Sequence, residues 1–208
     1  MIDQRTPEWH AARLGKVTAS KIADVMAKGR GGEPSATRAA YRAQLVLERL
    51  TGQPQDSYRN AAMDWGVEQE PMAINAYETS RDVMVMPIGF VEHPTIAMAG
   101  ASPDGLVNDD GLVEVKCPNS ATHLATLEGA AIDKRYLLQM QWQMACSGRQ
   151  WCDFVSYDPR FPEAHQLHVQ RVARDADLIA EIEVAVSALL SEVDASVTRL
   201  AGVDREAA

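Results

Sequence analysis

The chain has 208 residues, 46% of them apolar and 24% charged, with a formal net charge of −9. These values are ordinary for a soluble globule with a substantial core, and no apolar run is long enough to cross a bilayer. Three cysteines without a CxxC pair predict a reduced, cytoplasmic setting and fall short of a four-cysteine iron–sulfur site. The opening Met1-Ile2-Asp3-Gln4-Arg5 has no apolar signal core.

Thr6-Pro7-Glu8 reads as an N-cap, a first-turn proline and a dipole-favoured acid, opening a short helix that ends at Gly15. A second helix is predicted over 20–28, with Ile22, Val25 and Met26 inward and Thr18 or Ser20 as its cap. A helix start with a hydroxyl is an anion site, and Arg13 adds a fork that matches phosphate oxygens. The alternative is that Ser20 only caps its helix and Arg13 is an ordinary surface residue. The glycine-rich loop 29–34 is not followed by GKS or GKT, which argues against a P-loop.

Residues 35–50 read as a helix closing at Gly52, and 61–80 as another, interrupted near Gly66 and Pro71. Trp65, Glu70, Ala73 and Tyr77 follow a near-helical spacing, which would turn Glu70 toward a sheet, where an unpaired acid needs a metal or a base; the alternative is a first-turn acid favoured by the helix dipole after Gly66. Strands are expected over 83–93 and 96–100. Helices follow at 121–129 and 134–147; on the latter, Gln139 and Gln141 are two apart and cannot share a face. Strands at 151–157 and 165–172 precede an acidic amphipathic helix at 175–200. His165 and His168 would face opposite sides of their strand, which argues against a metal pair.

Charge is uneven. Residues 1–60 hold ten Lys or Arg against six Asp or Glu (+4), and 61–208 hold ten against twenty-three (−13). Lys16, Lys21, Lys28, Arg30, Arg38 and Arg42 form the basic excess. Read as a nucleic-acid patch, it predicts binding that weakens steeply with salt; read otherwise, it solvates helix surfaces.

The chemistry concentrates in Ser102-Pro103-Asp104-Gly105 and Glu114-Val115-Lys116. Residues 100–107 and 112–117 read as strands joined by a turn at 108–111. Alternation puts Glu114 and Lys116 on one face and Val113 and Val115 on the other, toward the core. Mg²⁺ prefers oxygen ligands and keeps several waters. Asp104, Glu114 and the Val115 backbone carbonyl form a partial ligand set, and Lys116 would handle a water or stabilise developing charge. Asp-Gly is also a common turn pair and Glu-x-Lys is common on exposed strands, so the hairpin alone does not decide.

Several stretches occur together and in order. They are Trp9-His10-x-x-Arg13-Leu14-Gly15, Thr18-Ala19-Ser20, Trp65-Gly66-x-x-x-Glu70 and Ser102-Pro103-Asp104-Gly105-Leu106, then Glu114-Val115-Lys116-Cys117-Pro118, Tyr136-x-x-Gln139-x-Gln141 and Tyr157-Asp158-Pro159-Arg160. In this the chain resembles the lambda-type exonuclease, or YqaJ-like viral recombinase, family of PD-(D/E)xK nucleases. The resemblance implies an α/β fold with a restriction-endonuclease-like core, a central mixed sheet flanked by helices. It implies one nuclease domain over 1–208, with an end-gripping part at 1–60, a catalytic core at 61–172 and a C-terminal helix and tail at 173–208. Asp104 and Glu114 become metal ligands with the Val115 carbonyl, and Lys116 the catalytic lysine. Glu70 completes the metal site directly or through water, Gln139 borders the catalytic centre, and Arg13 and Ser20 hold a terminal 5′-phosphate.

The activity implied is 5′-to-3′ exonucleolysis of double-stranded DNA ends with Mg²⁺, or Mn²⁺ in its place, and one or two ions per site. Mononucleotides leave, and 3′ single-stranded overhangs remain for recombination by strand annealing. The partners implied are 5′-phosphorylated duplex ends, a ring-shaped homotrimer and a single-strand annealing protein, in a bacterial or phage-infected cytoplasm. The rivals are a DNA endonuclease on the same core and a non-catalytic DNA-end-binding protein; the intact Asp104, Glu114 and Lys116 argue against the second.

Overall fold

The computed structural model describes residues 3–32, 34–55 and 61–206. Met1 and Ile2 of the opening segment and Glu33 of the glycine-rich loop lie outside the described residues. Helix α1 (Pro7–Arg13) begins where the Thr6 hydroxyl accepts the Trp9 amide and stops before Gly15, whose φ of 67° is left-handed. Strand β1 (Val17–Thr18) leads into a 3₁₀ turn (Ala19–Lys21) and then the five-residue α2 (Ile22–Met26). This is shorter than the helix expected over 20–28, and neither Thr18 nor Ser20 caps it. The 3₁₀ turn supplies the partner instead, with the Ile22 amide on the Ala19 carbonyl. Ile22 and Val25 are buried as expected.

Helix α3 (Ala36–Thr51) is capped by Ser35 and closed by Gly52. Helix α4 (Ala61–Arg81) runs without the expected interruption at Pro71. Pro71 removes one intrahelical bond. Beyond it, Ala73 and Tyr77 are buried against the sheet and the Tyr77 hydroxyl donates to Asp153 at 2.8 Å. Asp153 is held on its other side by a bidentate Arg171 at 2.8 and 2.9 Å.

The strands are β2 (Val85–Met86), β3 (Val91–Glu92), β4 (Ala99–Ala101), β5 (Gly105–Val107), β6 (Gly111–Lys116), β7 (Trp151–Tyr157) and β8 (Leu167–Ala173). Pro87 and Pro94 lack amide donors, and the pairing expected over 83–100 is reduced to short pieces. The expected strand over 100–107 is in fact two. β4 joins a three-stranded sheet ordered β1-β4-β3, and β5 joins a five-stranded sheet ordered β2-β5-β6-β7-β8. Ser102-Pro103-Asp104 is the crossing between the sheets. The large sheet is mixed: β5 and β6 are antiparallel, β6 and β7 parallel, and β7 and β8 antiparallel. A parallel pair needs a crossover, made here by α5 (Ser120–Leu127) and α6 (Lys134–Ser147). His165 lies in a 3₁₀ turn before β8 rather than on the strand.

Both faces of β6 are covered. Val113 and Val115 pack with Ala73 and Tyr77 of α4; Leu112, on the opposite face, packs with Met140 and Met144 of α6. The far side of α6 (Leu138, Trp142, Ala145) joins a second core with α2, α3 and α7 (Ala176–Glu206). A helix buried on both sides is apolar nearly all round, which makes its buried glutamines stand out. The mixed sheet flanked by helices is the α/β class expected.

Candidate active site

β6 runs on past Gly105, the first residue of its antiparallel neighbour β5. The β5 pairing reaches only Val113, so the edge of β6 beyond it is open on that side. Asp104 fills this edge: its Oδ2 accepts the Val115 amide at 2.7 Å. A strand residue's N–H and C=O point to the same edge, so the Val115 carbonyl also faces Asp104. Glu114 is 1% exposed and Lys116 is half-buried beside it, and the two form an ion pair. The side chains predicted to converge therefore do so.

The electrostatics are those of crowded acids. Burial, then the neighbouring Glu114 charge, push the Asp104 carboxyl well above its usual range, and Glu70 adds to this from α4. Burial lowers the Lys116 ammonium, but Glu114 and Asp104 outweigh it, and its pKa lies above the ordinary lysine value. Glu70 itself is ion-paired with Arg5. Burial raises the Cys117 thiol to about 12, so it stays protonated.

The donors fit a hard cation. Asp104 Oδ1 has no hydrogen bond among the described residues, and Glu114 and the Val115 carbonyl add further oxygens. Among the described residues, no group of three His, Cys, Asp or Glu side chains forms a closed cage. A cation here would draw on water and phosphate for the remaining positions, as Mg²⁺ commonly does.

Two amides complete the acid side. Gln139 donates to Glu114 Oε1 and Gln143 to Oε2, both at 2.6 Å. Gln139 was expected at the centre; Gln143 was missed, although four-residue spacing on a helix is the signal that finds it. Gln141 points away, to the Ala173 carbonyl and the Asp175 amide.

On the other side of Asp104 stands Ser102, also missed as a separate site residue. Its Oγ accepts Trp9 Nε1 at 2.9 Å and Arg13 at 3.1 Å. A serine hydroxyl has two acceptor positions and one donor. Both acceptor positions are taken, so the proton is left to donate. The Arg13 guanidinium stacks 4.0 Å over the Trp9 ring; burial lowers its pKa without discharging it. Gln4 anchors the arm by donating to the Pro103 carbonyl at 2.7 Å. Arg13, Ser20, Lys16 and Lys21 line one cavity of about 670 Å³ with Trp9 and Tyr41. Ser20 is exposed there, inside the 3₁₀ turn.

The basic patch is smaller than its sequence suggested. Arg38 forks onto Glu192 at 3.0 and 2.8 Å and Arg42 also reaches it, so both serve α3–α7 packing. His123, fully buried, sits between Ser156 Oγ (2.8 Å) and the His165 carbonyl (2.9 Å), a structural role.

Residues 8–150 match the family model of the YqaJ-like viral recombinase domain. The chain belongs to this family. It is 50% identical to an alkaline exonuclease from Laribacter hongkongensis, over 98% of this chain and 100% of that one, with a TM-score of 0.91. The same enzyme in complex with dAMP gives 51% identity, the same coverage and a TM-score of 0.91. A phage-related exonuclease from Haemophilus somnus 129PT shares the fold at 18% identity, covering 89% of this chain and 96% of that one, with a TM-score of 0.69. Among curated proteins, nothing matches.

Proposed function

We propose that the protein is a divalent-metal-dependent DNA exonuclease that degrades one strand of a duplex from its 5′ end. The observation that carries this reading is the contact of two unlike sites. Ser102, bound by Arg13 and Trp9, lies two residues from Asp104, which is bonded to the Glu114–Lys116 strand. A terminal phosphate at the first would leave a nearby phosphodiester at the second. Family membership and the 50% identical alkaline exonuclease support the same chemistry, and the dAMP bound by that relative is a mononucleotide, the product class this reaction releases.

Asp104, Glu114 and the Val115 carbonyl would hold the cation, with Glu70 contributing if it releases Arg5. Bound there, Mg²⁺ or Mn²⁺ supplies Lewis acidity and lowers the pKa of a coordinated water. Lys116, an ammonium between two carboxylates, donates to the attacking water or to a phosphate oxygen as charge develops. Gln139 and Gln143 hold the Glu114 carboxylate still. Arg13 and the free Ser102 proton bind the 5′-phosphate, with Ser20 and Lys21 on the wall of the same cavity. We also propose, on the resemblance to the family, assembly as a ring-shaped trimer and action with a single-strand annealing protein. A mass measurement giving a monomer at micromolar concentration counts against the ring.

The test is a linear duplex with Mg²⁺, followed strand by strand. The expected outcome is mononucleotide release from 5′-phosphorylated ends, slower release from 5′-hydroxyl ends and no attack on a covalently closed circle. Cutting of the circle replaces this reading with an endonuclease.

A further inference from the structure

Gln143 is fully buried on α6, with the apolar Met140 and Met144 near it on the helix. It donates to Glu114 Oε2, while Gln139 and Lys116 both donate to Oε1. A carboxylate has about four lone-pair positions, two on each oxygen. Oε1 is therefore filled, and Oε2 has one position taken by Gln143 and one open. We propose that Gln143 is a positioning residue for the divalent cation: by fixing Oε2 it would leave one lone pair of Glu114 open to hold the metal. This rests on the metal-dependent reading above.

Two observations separate Gln143 from a side chain that merely fills the core. Its Oε1 is buried and has no hydrogen-bond partner among the described residues. Native proteins rarely leave such an acceptor unmatched, and turning the amide over would set this oxygen against the Glu114 carboxylate. The donor is thus kept at Glu114 while the other end of the amide goes unserved. The second observation is burial. Gln139 is partly exposed, so bulk water can replace its hydrogen bond, whereas Gln143 is fully buried. Of the two amides, Gln143 is the one whose loss Glu114 has no means to repair.

Mn²⁺ binding to the full chain without DNA, read by electron paramagnetic resonance, tests this directly. Outer partners of metal ligands typically affect affinity by about 10- to 100-fold, and Gln143→Met, which keeps the volume and removes the donor, should weaken Mn²⁺ by that factor. Gln139→Met should weaken Mn²⁺ less than Gln143→Met does, because Gln139 is partly exposed and water can take its place at Glu114. An unchanged constant for a folded Gln143→Met overturns the proposal while leaving the metal reading intact. Wild-type protein that takes up no Mn²⁺, and is unaffected by Asp104→Asn, overturns both. If Gln143→Met shows no cooperative unfolding, the wild-type chain labelled with ¹⁵N-glutamine decides. The Gln143 side-chain amide should shift as Mg²⁺ saturates, and a resonance that stays still overturns the proposal.

Discussion

The acid side and the grip side of this site touch at Asp104 but are held in different ways. Glu114 sits on a strand buried on both faces, with donors from α6 and from Lys116. Ser102 and Arg13 are only partly buried, and the arm that brings Arg13 is a seven-residue helix with no fully buried residue. That arm is tied down by a few contacts: Gln4 on Pro103, and Gly15 on α3 through Glu48 and Arg49. The acid side is thus preorganised by the core, which suits chemistry that needs fixed charges. The grip is preorganised only by its ties. Damage to the first should lower turnover on every end, and damage to the second should change which end is used.

The largest effect expected is at the acid side. Lys116→Ala and Asp104→Asn should each lower kcat by at least about 10²- to 10³-fold, the scale seen when one preorganised charge-stabilising group is lost. Duplex binding, followed by fluorescence anisotropy, should stay within about twofold, since phosphate contacts elsewhere dominate affinity. Turnover retained by Lys116→Ala would remove it from the mechanism and dissolve the contrast between the two sides.

A smaller and more selective loss is expected at the grip. A hydrogen bond to a charged group is worth about 1.5–3 kcal/mol. Arg13→Gln should therefore lower kcat/KM by about 10- to 100-fold on 5′-phosphorylated ends and hardly at all on 5′-hydroxyl ends. Ser102→Ala should follow the same pattern with a smaller loss, because it removes one donor and no charge. Equal losses on both ends would mean that these residues position Asp104 instead of reading a phosphate.

How far the sequence reveals each side differs for physical reasons. The β6–β7–α6 framework is legible because its periods are regular: β7 and α6 match the expected 151–157 and 134–147. The break at Ser102–Asp104 is not, because 100–107 reads as one extended run. Which sheet the first half joins depends on β1, a partner remote in sequence, as well as on the nearby β3. Pro71 is misleading in the same way: local propensity breaks α4 there, and burial of Ala73 and Tyr77 carries it through. Arg38 and Arg42 read as a patch until α7, some 150 residues away, brings Glu192 to them. Gln143 was readable from its spacing alone and was hidden by the more conspicuous Gln139 and Gln141.

The smallest expected effect isolates the tie between grip and core. Gly15 and Gly52 both lie in the left-handed region, with φ of 67° and 66°. A Cβ at Gly52 meets nothing within 4 Å, whereas one at Gly15 lies 2.7 Å from Arg49 Cγ. Either Gly→Ala change carries a backbone cost of about 1 kcal/mol, which lowers Tm by about 2–4 °C in a domain of this size. Only Gly15→Ala also pushes on Arg49, which holds the Gly15 carbonyl at 2.8 Å and reaches Asp194 on α7. Gly52→Ala should lose stability and keep the preference for 5′-phosphorylated ends. Gly15→Ala should lose slightly more stability and part of that preference, with Mn²⁺ affinity unchanged because the acid side has its own supports. If the two variants prove indistinguishable in end preference, the arm is held by Gln4 and the Ser102 contacts alone, and α3 has no part in setting the grip.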